Sequence, residues 1–160
     1  GRPFLECTDD QLRRTMEVNA LSHFWTVRAF LPDMIRFNRG HIVTVSSVAG
    51  IACSAGLVDY CASKFAAFAF DETLRAELKK QRLNIHTTVV CTYLIKGKMF
   101  AGAKTRFPIL LPILEAEYVA ERIVHGIARK KRRIIIPSLL YSTWLLRLLP
   151  VDIYDWLVTF

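Results

Sequence analysis

The sequence predicts an α/β fold in which buried parallel strands alternate with helices. Two stretches, 41–47 and 84–91, are rich in β-branched and apolar residues, which is typical of strands covered on both faces. Segments with apolar residues at helical spacing precede, separate and follow these two strands. Because strands that alternate with helices along a chain form parallel sheets, we expect one parallel sheet flanked by helices.

The composition is that of a folded protein with a substantial core. The chain has 160 residues, of which 52% are hydrophobic and only 22% are charged, so we expect a single domain. The net charge is +8, and residues 129–133 supply five of the positive charges in one run. No reading element or interleaved aromatic residues accompany this run, so we do not expect a nucleic-acid partner.

The cysteines and histidines indicate neither a disulfide framework nor a metal site. The four cysteines show no Cys-x-x-Cys pair and no regular spacing, so we interpret them as reduced thiols in a cytosol-facing protein. The four histidines lack the spacing of metal ligands, and we expect each of them to be structural. These residues are Cys7, Cys53, Cys61, Cys91, His23, His41, His86 and His125.

The first helical segment begins at a capping signal. Thr8 precedes two acidic residues, and Gln11 is placed to complete a capping box with it. Apolar residues then recur at helical spacing, which predicts one long helix over 9–37 or two helices joined near Asn19. Gly40 is expected to end this segment in a left-handed conformation.

The remaining elements continue the alternation of strands and helices. In order, we expect a strand at 41–47, a helix at 58–80, a strand at 84–91, an irregular proline-containing stretch at 92–114, a helix at 115–129 and a short strand at 133–137. The last residues, 138–160, form an apolar helical tail that we treat separately from the domain at 1–137.

The pattern lacks the beginning of a nucleotide-binding fold. A mononucleotide-binding half starts with a strand and a glycine-rich turn, and no Gly-x-Gly-x-x-Gly or Gly-x-x-x-Gly-x-Gly occurs in the chain. We therefore interpret residues 1–137 as the C-terminal part of a doubly wound parallel-sheet, Rossmann-like dinucleotide-binding domain. A fragment of a longer protein and the product of a decayed gene both fit this pattern.

Tyr60 and Lys64 lie four residues apart on the predicted helix, so they share one face. A free phenol has a pKa of about 10, and a neighbouring ammonium lowers that pKa toward the range where it can transfer protons. This spacing is also common in simple surface contacts, so its meaning depends on the residues around it.

Ser47 ends a strand, where functional groups of parallel sheets gather. Asn19 is an unfavourable residue within a helix.

These four residues and their surroundings resemble the catalytic tetrad of the short-chain dehydrogenase/reductases. The similar stretches cover nearly the whole chain, and some are typical of the membrane-associated retinol and hydroxysteroid dehydrogenase branch of that family. The tetrad is Asn19, Ser47, Tyr60 and Lys64; the flanking stretches are 16–19, 40–50 and 59–66; the stretches typical of the branch are 23–26 and 29–32.

The resemblance implies a role for each residue. Tyr60 would be the acid–base group, and Lys64 would lower its pKa and bind the nicotinamide ribose. Ser47 would hold the substrate oxygen, and its spacing from Tyr60 favours it over Ser46, which we expect to satisfy the backbone. Asn19 would anchor a water through which protons reach Lys64. Asn19, Tyr60 and Lys64 would thus contact the cofactor, NAD or NADP, which moves the hydride.

The resemblance also implies a substrate class and a location. We expect interconversion of a hydrophobic alcohol and its carbonyl, retinol and retinal first and a steroid second, under a lid at 93–114 that contains Met99, Phe100 and Phe107. The protein would sit on the endoplasmic reticulum membrane or lipid droplets, facing the cytosol, and could form a homodimer through its two long helices. The alternative is a truncated, catalytically inactive relative that acts as a membrane-associated or interaction module.

The tail has two interpretations that the sequence leaves open. Residues 139–149 are strongly apolar with Tyr141 and Trp144, but the stretch is too short, and too interrupted by Arg147, for a confident membrane span. It suits an interfacial helix beside the basic run at 129–133, which favours anionic lipid headgroups. A helix that packs on the core beside a solvated basic helix end fits equally well.

Overall fold

The computed structural model describes residues 1–97, 102, 105 and 107–158. It contains three parallel strands in the order β1-β2-β3, which confirms the predicted α/β parallel sheet. The elements are α1 (Asp9–Met16), a π-helical segment (Glu17–Leu21), α2 (Ser22–Arg36), β1 (Gly40–Val45), α3 (Val58–Lys80), β2 (Ile85–Thr92), α4 (Ala116–Ala128), β3 (Arg133–Ile136), α5 (Thr143–Leu146) and α6 (Val151–Val158), with 3-10 turns at Phe4–Glu6, Val48–Gly50 and Ser138–Ser142.

The central strand β2 carries the core on both of its faces. Val89 and Cys91 join a cluster with Phe68 of α3, whereas Val90 joins a second cluster with Val119 of α4. Successive residues of a strand point to opposite faces, so this alternation places α3 on one side of the sheet and α4 on the other. The apolar run at residues 89–91 of β2 is therefore buried from both sides of the sheet.

The first helical segment is interrupted where Asn19 stands. The capping box is confirmed: Thr8 Oγ1 accepts a hydrogen bond from Gln11 N at 3.3 Å, and Gln11 Oε1 accepts one from Thr8 N at 3.2 Å. Between α1 and α2 the chain winds as a π-helix that includes Asn19. The second alternative, two helices joined near Asn19, is therefore the better description, and π-helical turns are frequent at functional sites.

The prediction for Gly40 is wrong. The left-handed residue after α2 is Asn38, with a φ of 47°, a conformation that asparagine tolerates better than most residues. Gly40 instead begins β1, and its missing side chain makes room for Met34: a Cβ at this position would lie 2.6 Å from Met34 Sδ. The glycine is therefore needed for close packing of α2 on β1.

The other predicted boundaries hold to within one or two residues. The helix predicted at 58–80 is confirmed as α3, and the strands and the helix after it begin or end within one residue of their predicted limits. The first strand ends at Val45, so Ser46 and Ser47 lie just beyond it. Of the predicted lid, Met99 and Phe100 fall outside the described residues.

The tail is not one helix. A 3-10 turn leads into α5, and the Trp144 ring packs 5.7 Å from the ring of Phe68 while Leu140 is buried. The opposite side of this segment, including Leu145 and Leu148, is exposed. In the described part of the chain, no helix combines the length and the apolar character that crossing a membrane requires.

Asp71 on α3 is a carboxyl whose side chain is 0% exposed. Its Oδ2 accepts a hydrogen bond from Thr87 Oγ1 at 3.2 Å and lies 3.8 Å from a guanidinium nitrogen of Arg75. Burial raises the pKa of Asp71 from 3.8 to about 6, and the hydrogen bond from Thr87 and the charge of Arg75 only partly oppose this rise.

We predict that this carboxyl makes the chain less stable as the pH rises. The folded state binds more protons at Asp71 than the unfolded state, so the stabilisation is complete below about pH 4 and is lost as the pH rises through about 6. Asp71→Asn should therefore match the wild-type chain in acid and exceed its free energy of unfolding at neutral pH by about 3 kcal/mol. Urea unfolding across this pH range measures the difference.

The matched control is Asp33→Asn, because Asp33 is an exposed aspartate paired with Arg36 on α2. This variant should keep the pH dependence of the wild-type chain. An Asp71→Asn chain with an unchanged pH profile would show that Asp71 is not the group responsible.

Candidate active site

The site begins where β1 ends. Ser46 N donates to Val90 O at 2.8 Å, which extends the sheet pairing by one residue beyond Val45. Ser47 then caps the 3-10 turn, because its Oγ accepts a hydrogen bond from Ala49 N at 3.1 Å. Both serines are buried. The chain thus leaves the sheet with the Ser47 hydroxyl oriented by the turn that follows.

The turn after β1 is pressed against the backbone of α3. Ser46 Oγ donates to Lys64 O at 2.8 Å, as expected for a serine that satisfies the backbone. A Cβ on Gly50 would lie 2.4 Å from Ser46 Oγ and 2.5 Å from Lys64 O. Only glycine allows this approach, so the loop that carries Ser47 is locked to the helical turn that carries Lys64.

Tyr60 and Lys64 project from one face of α3 toward the end of β1. Lys64 Nζ donates to Val45 O at 3.2 Å and lies 5.8 Å from the centroid of the Tyr60 ring. The Ser47 side chain lies near enough to the Tyr60 hydroxyl to lower the pKa of that phenol. The structure therefore brings Ser47, Tyr60 and Lys64 together, although their catalytic roles remain predictions.

The electrostatics of this group differ from the expectation. Burial raises the pKa of Tyr60, and the Ser47 side chain opposes the rise without cancelling it. Burial likewise lowers the pKa of Lys64. The expected lowering of the Tyr60 pKa by Lys64 is wrong for this structure: desolvation dominates, and the ammonium is hydrogen-bonded to a backbone carbonyl.

Asn19 contacts α3 through Ser63, a residue that the sequence did not single out. Asn19 Nδ2 donates to Ser63 Oγ at 3.1 Å, and Ser63 Oγ in turn donates to Tyr60 O at 2.7 Å. Ser63 is completely buried. The tetrad asparagine thus contacts the helical turn between Tyr60 and Lys64. A small hydroxyl residue directly before Lys64 is the signal that could have indicated this contact.

His23 is a second neighbour that the sequence analysis treated only as structural. Its Nε2 is buried and has no hydrogen-bond partner among the described residues. Burial lowers the pKa of His23, the charge of Lys64 lowers it further, and the nearby backbone of Asn19 opposes both effects. His23 therefore lies within electrostatic reach of Lys64, and its position four residues after Asn19 is the available sequence signal.

Arg147 connects the tail to the site. Its Nε donates to Ile51 O at 3.0 Å, and its guanidinium lies 4.8 Å from the centroid of the Phe65 ring. Ile51 belongs to the loop between Ser47 and Tyr60. In the sequence, Arg147 is only an interruption of the apolar tail, because no local pattern reveals a partner so distant along the chain.

These elements define a class of protein: an α/β fold with a serine, a tyrosine and a lysine at the carboxyl end of a parallel strand. The family model described as "short chain dehydrogenase" matches residues 1–106. The chain belongs to the short-chain dehydrogenase family, which confirms the resemblance.

Curated relatives lie in the retinol dehydrogenase branch of the family. The chain is 49% identical over 138 residues to short-chain dehydrogenase/reductase family 16C member 6 of Bos taurus, covering 86% of this chain and 44% of the relative. It is 46% identical over 149 residues to epidermal retinol dehydrogenase 2 of Homo sapiens, covering 92% and 48%. Human retinol dehydrogenase 10 is 43% identical over 156 residues, covering 95% and 46%. The chain spans about half the length of these relatives.

Solved structures share the fold at low sequence identity. A short-chain dehydrogenase from Burkholderia cenocepacia in complex with NADP matches with a TM-score of 0.79 and 21% identity, over 98% of this chain and 63% of that chain. A short-chain dehydrogenase/reductase from Burkholderia phymatum in complex with NAD matches with a TM-score of 0.75 and 23% identity, over 92% and 61%. These neighbours bind the two cofactors that the sequence analysis expected.

We predict that Gly50→Ala disrupts the turn after β1. The added methyl group cannot be accommodated without moving Ser46 or the α3 backbone, and overpacking of this kind costs about 1–3 kcal/mol. The midpoint of urea unfolding should fall accordingly. Gly97→Ala is the control, because no atom of the described residues lies within 4 Å of a Cβ at Gly97. Equal midpoints for the two variants would contradict the close approach of the turn to α3.

Proposed function

We propose that this chain carries the catalytic part of an oxidoreductase that interconverts a hydrophobic alcohol and its carbonyl with a nicotinamide cofactor. The observation that carries the proposal is the convergence of Ser47, Tyr60 and Lys64 at the carboxyl end of β1. Functional groups of α/β sheets gather at this end. The membership of the chain in the short-chain dehydrogenase family supports the same activity.

The proposed mechanism assigns one task to each side chain. Tyr60 takes the proton from the substrate hydroxyl during oxidation and returns it during reduction. The Ser47 hydroxyl, whose oxygen is held by the turn, orients the substrate oxygen beside Tyr60 and favours the ionised phenol. Asn19 positions the helical turn between Tyr60 and Lys64 through Ser63, and we keep the proposal that it also anchors a water leading to Lys64.

The residues present fit one end of the cofactor. Lys64 Nζ makes a single hydrogen bond within the described residues, to Val45 O, so donors remain for ribose hydroxyls. Asn19, Tyr60 and Lys64 would hold the nicotinamide ribose of NAD or NADP, whose chemistry is hydride transfer. The sequence contains no glycine-rich turn of the kind that holds a pyrophosphate, so the proposal is confined to the nicotinamide ribose.

We propose a lipophilic substrate, with retinol and retinal favoured over a steroid. The names of the curated relatives support a retinoid. The described part of the expected lid also exposes apolar side chains, including Ile109 at 95% and Leu110 at 61%. Exposed apolar residues in a substrate loop suit a ligand that buries them when it binds.

Location and oligomeric state follow as further proposals. An enzyme for lipophilic alcohols would sit where these dissolve, on the endoplasmic reticulum membrane or on lipid droplets, and would face the cytosol. A homodimer would form through the long helices, because α2 exposes Trp25 and Phe30 and an exposed apolar patch often marks an interface. We do not propose a nucleic-acid partner.

The second candidate is a relative without catalytic activity that acts as a membrane-associated or interaction module. The raised pKa of Tyr60 favours it. Titration with NAD(H) and NADP(H) of a version of the protein that includes a glycine-rich turn separates the two candidates. Saturable binding supports the enzyme, and no binding at millimolar cofactor leaves the non-catalytic module as the better account.

We predict that Tyr60→Phe in a version that includes the glycine-rich turn abolishes turnover of retinol. Phenylalanine keeps the ring beside Lys64 but removes the hydroxyl that transfers the proton, so kcat should fall at least about 100-fold. Cofactor affinity, measured by fluorescence titration, should stay nearly unchanged.

The matched control is Tyr93→Phe, because Tyr93 OH bonds to Thr105 Oγ1 at 3.0 Å and has no assigned role in proton transfer. This variant should keep most of the activity. Retained turnover in Tyr60→Phe would remove Tyr60 from the proposed role.

A further inference from the structure

A basic pocket lies outside the candidate active site. It has a volume of about 470 Å³ and is formed by α3, by the residues around the start of β3 and by the 3-10 turn that follows β3. Four of its lining residues are cationic and the fifth is a tyrosine. They are Arg75, Lys131, Arg132, Arg133 and Tyr141.

Two of these cations are partly neutralised and held in place. Glu72 accepts a hydrogen bond from Arg75 at 3.4 Å and also pairs with Arg133. Arg75 lies 3.8 Å from Asp71, but its Nη1 is buried and has no hydrogen-bond partner within the described ranges. Arg75 therefore contributes positive charge to the pocket, while its Nη1 stays covered beside Asp71.

The other two cations have no counter-ion in the described part of the chain. Lys131 and Arg132 are exposed, and neither takes part in an ion pair there. Four cations thus face two carboxylates, and the pocket keeps an excess of positive charge. A phosphate group is the common biological anion that such a cluster of arginine and lysine donors binds.

The pocket continues into an exposed apolar surface through Tyr141. Tyr141 OH donates to Arg133 O at 3.2 Å, while 43% of the residue is exposed. Leu145 and Leu148 follow at helical spacing and are 68% and 80% exposed. Trp144 and Arg147 point the other way, onto Phe68 and Ile51. The outer face of this segment is therefore apolar and borders the basic pocket.

We propose that the basic pocket and this apolar face together bind a membrane surface that contains anionic phospholipids. The pocket would take the phosphate of a lipid headgroup, and Tyr141, Leu145 and Leu148 would enter the interface below it. Basic side chains beside exposed aromatic and aliphatic residues are the composition of such surfaces. A soluble phosphate compound or a nucleic acid would match the charges but would leave the two leucines in water.

The proposed surface stops before α6. Asp152 and Asp155 lie on that helix, and their negative charges would oppose an anionic bilayer. On the inner side, Arg147 ties the same segment to the loop between Ser47 and Tyr60. Contact with the membrane would therefore be linked to the candidate active site, although the proposal does not depend on catalysis and is tested without it.

Sedimentation with vesicles tests the proposal on the full chain. The chain should bind vesicles of phosphatidylcholine and phosphatidylserine more tightly than vesicles of phosphatidylcholine alone. Lys131→Gln with Arg132→Gln should weaken binding to the anionic vesicles about 25-fold, about fivefold for each charge removed. Leu145→Ser with Leu148→Ser should weaken it at least about tenfold, because exposed leucines lose their burial in the interface.

Matched controls separate a defined surface from general attraction. Arg13→Gln with Arg14→Gln removes two exposed charges on α1, and Leu5→Ser with Leu110→Ser removes two exposed leucines elsewhere. Both double variants should bind within about twofold of the wild-type chain. Each variant should keep its fold, because all the substituted residues are exposed. Circular dichroism checks this.

Other outcomes would overturn the proposal. One is a lack of binding to anionic vesicles. The other is a loss of vesicle affinity in the Arg13/Arg14 variant equal to that in the Lys131/Arg132 variant, which would indicate attraction by net charge alone. Calorimetric titration with inorganic phosphate and with a single-stranded RNA provides the remaining arms. The membrane proposal is rejected if phosphate or RNA binds in a way that needs Lys131 and Arg132 while the Leu145/Leu148 variant still binds vesicles like the wild-type chain. The pocket would then be assigned to the ligand that binds.

Discussion

The close approach of the turn after β1 to the backbone of α3 is the constraint on which the candidate site depends. The hydrogen bond from Ser46 Oγ to Lys64 O and the absence of a side chain at Gly50 bring the two elements into contact. A parallel strand that ends at the edge of a sheet leaves the following residues without strand partners. Here a helix backbone provides those partners, and the same contact holds Ser47 in position relative to Tyr60 and Lys64.

Burial at this point has an electrostatic consequence. It raises the pKa of Tyr60 and lowers that of Lys64, so it favours the neutral form of both groups. A phenolate beside an ammonium therefore needs further polar contacts, and in the described part of the chain Ser47 is the side chain that favours the ionised phenol. The chain spans about half the length of its curated relatives.

The segment after β3 has two distinct faces. Its inner face packs through Trp144 on Phe68 and bonds through Arg147 to the loop of the candidate site. Its outer face keeps Leu145 and Leu148 in water next to a basic pocket. The two interpretations of the tail, core packing and a membrane interface, are therefore compatible. The helical periodicity of one short segment places different side chains toward the protein and toward the solvent.

Strand and helix positions followed from the amino-acid order, because apolar periodicity and capping signals act over a few residues. The short-chain dehydrogenase motifs were readable for the same reason, since each occupies a short stretch. Contacts between distant residues were not readable: Asn19 bonds to Ser63 across 44 positions, and Arg147 to Ile51 across 96. The pKa of Tyr60 moved opposite to the prediction, because a helical spacing places a charge nearby but packing determines how much water is excluded. Folding in three dimensions sets burial, and burial decided the electrostatics of this site.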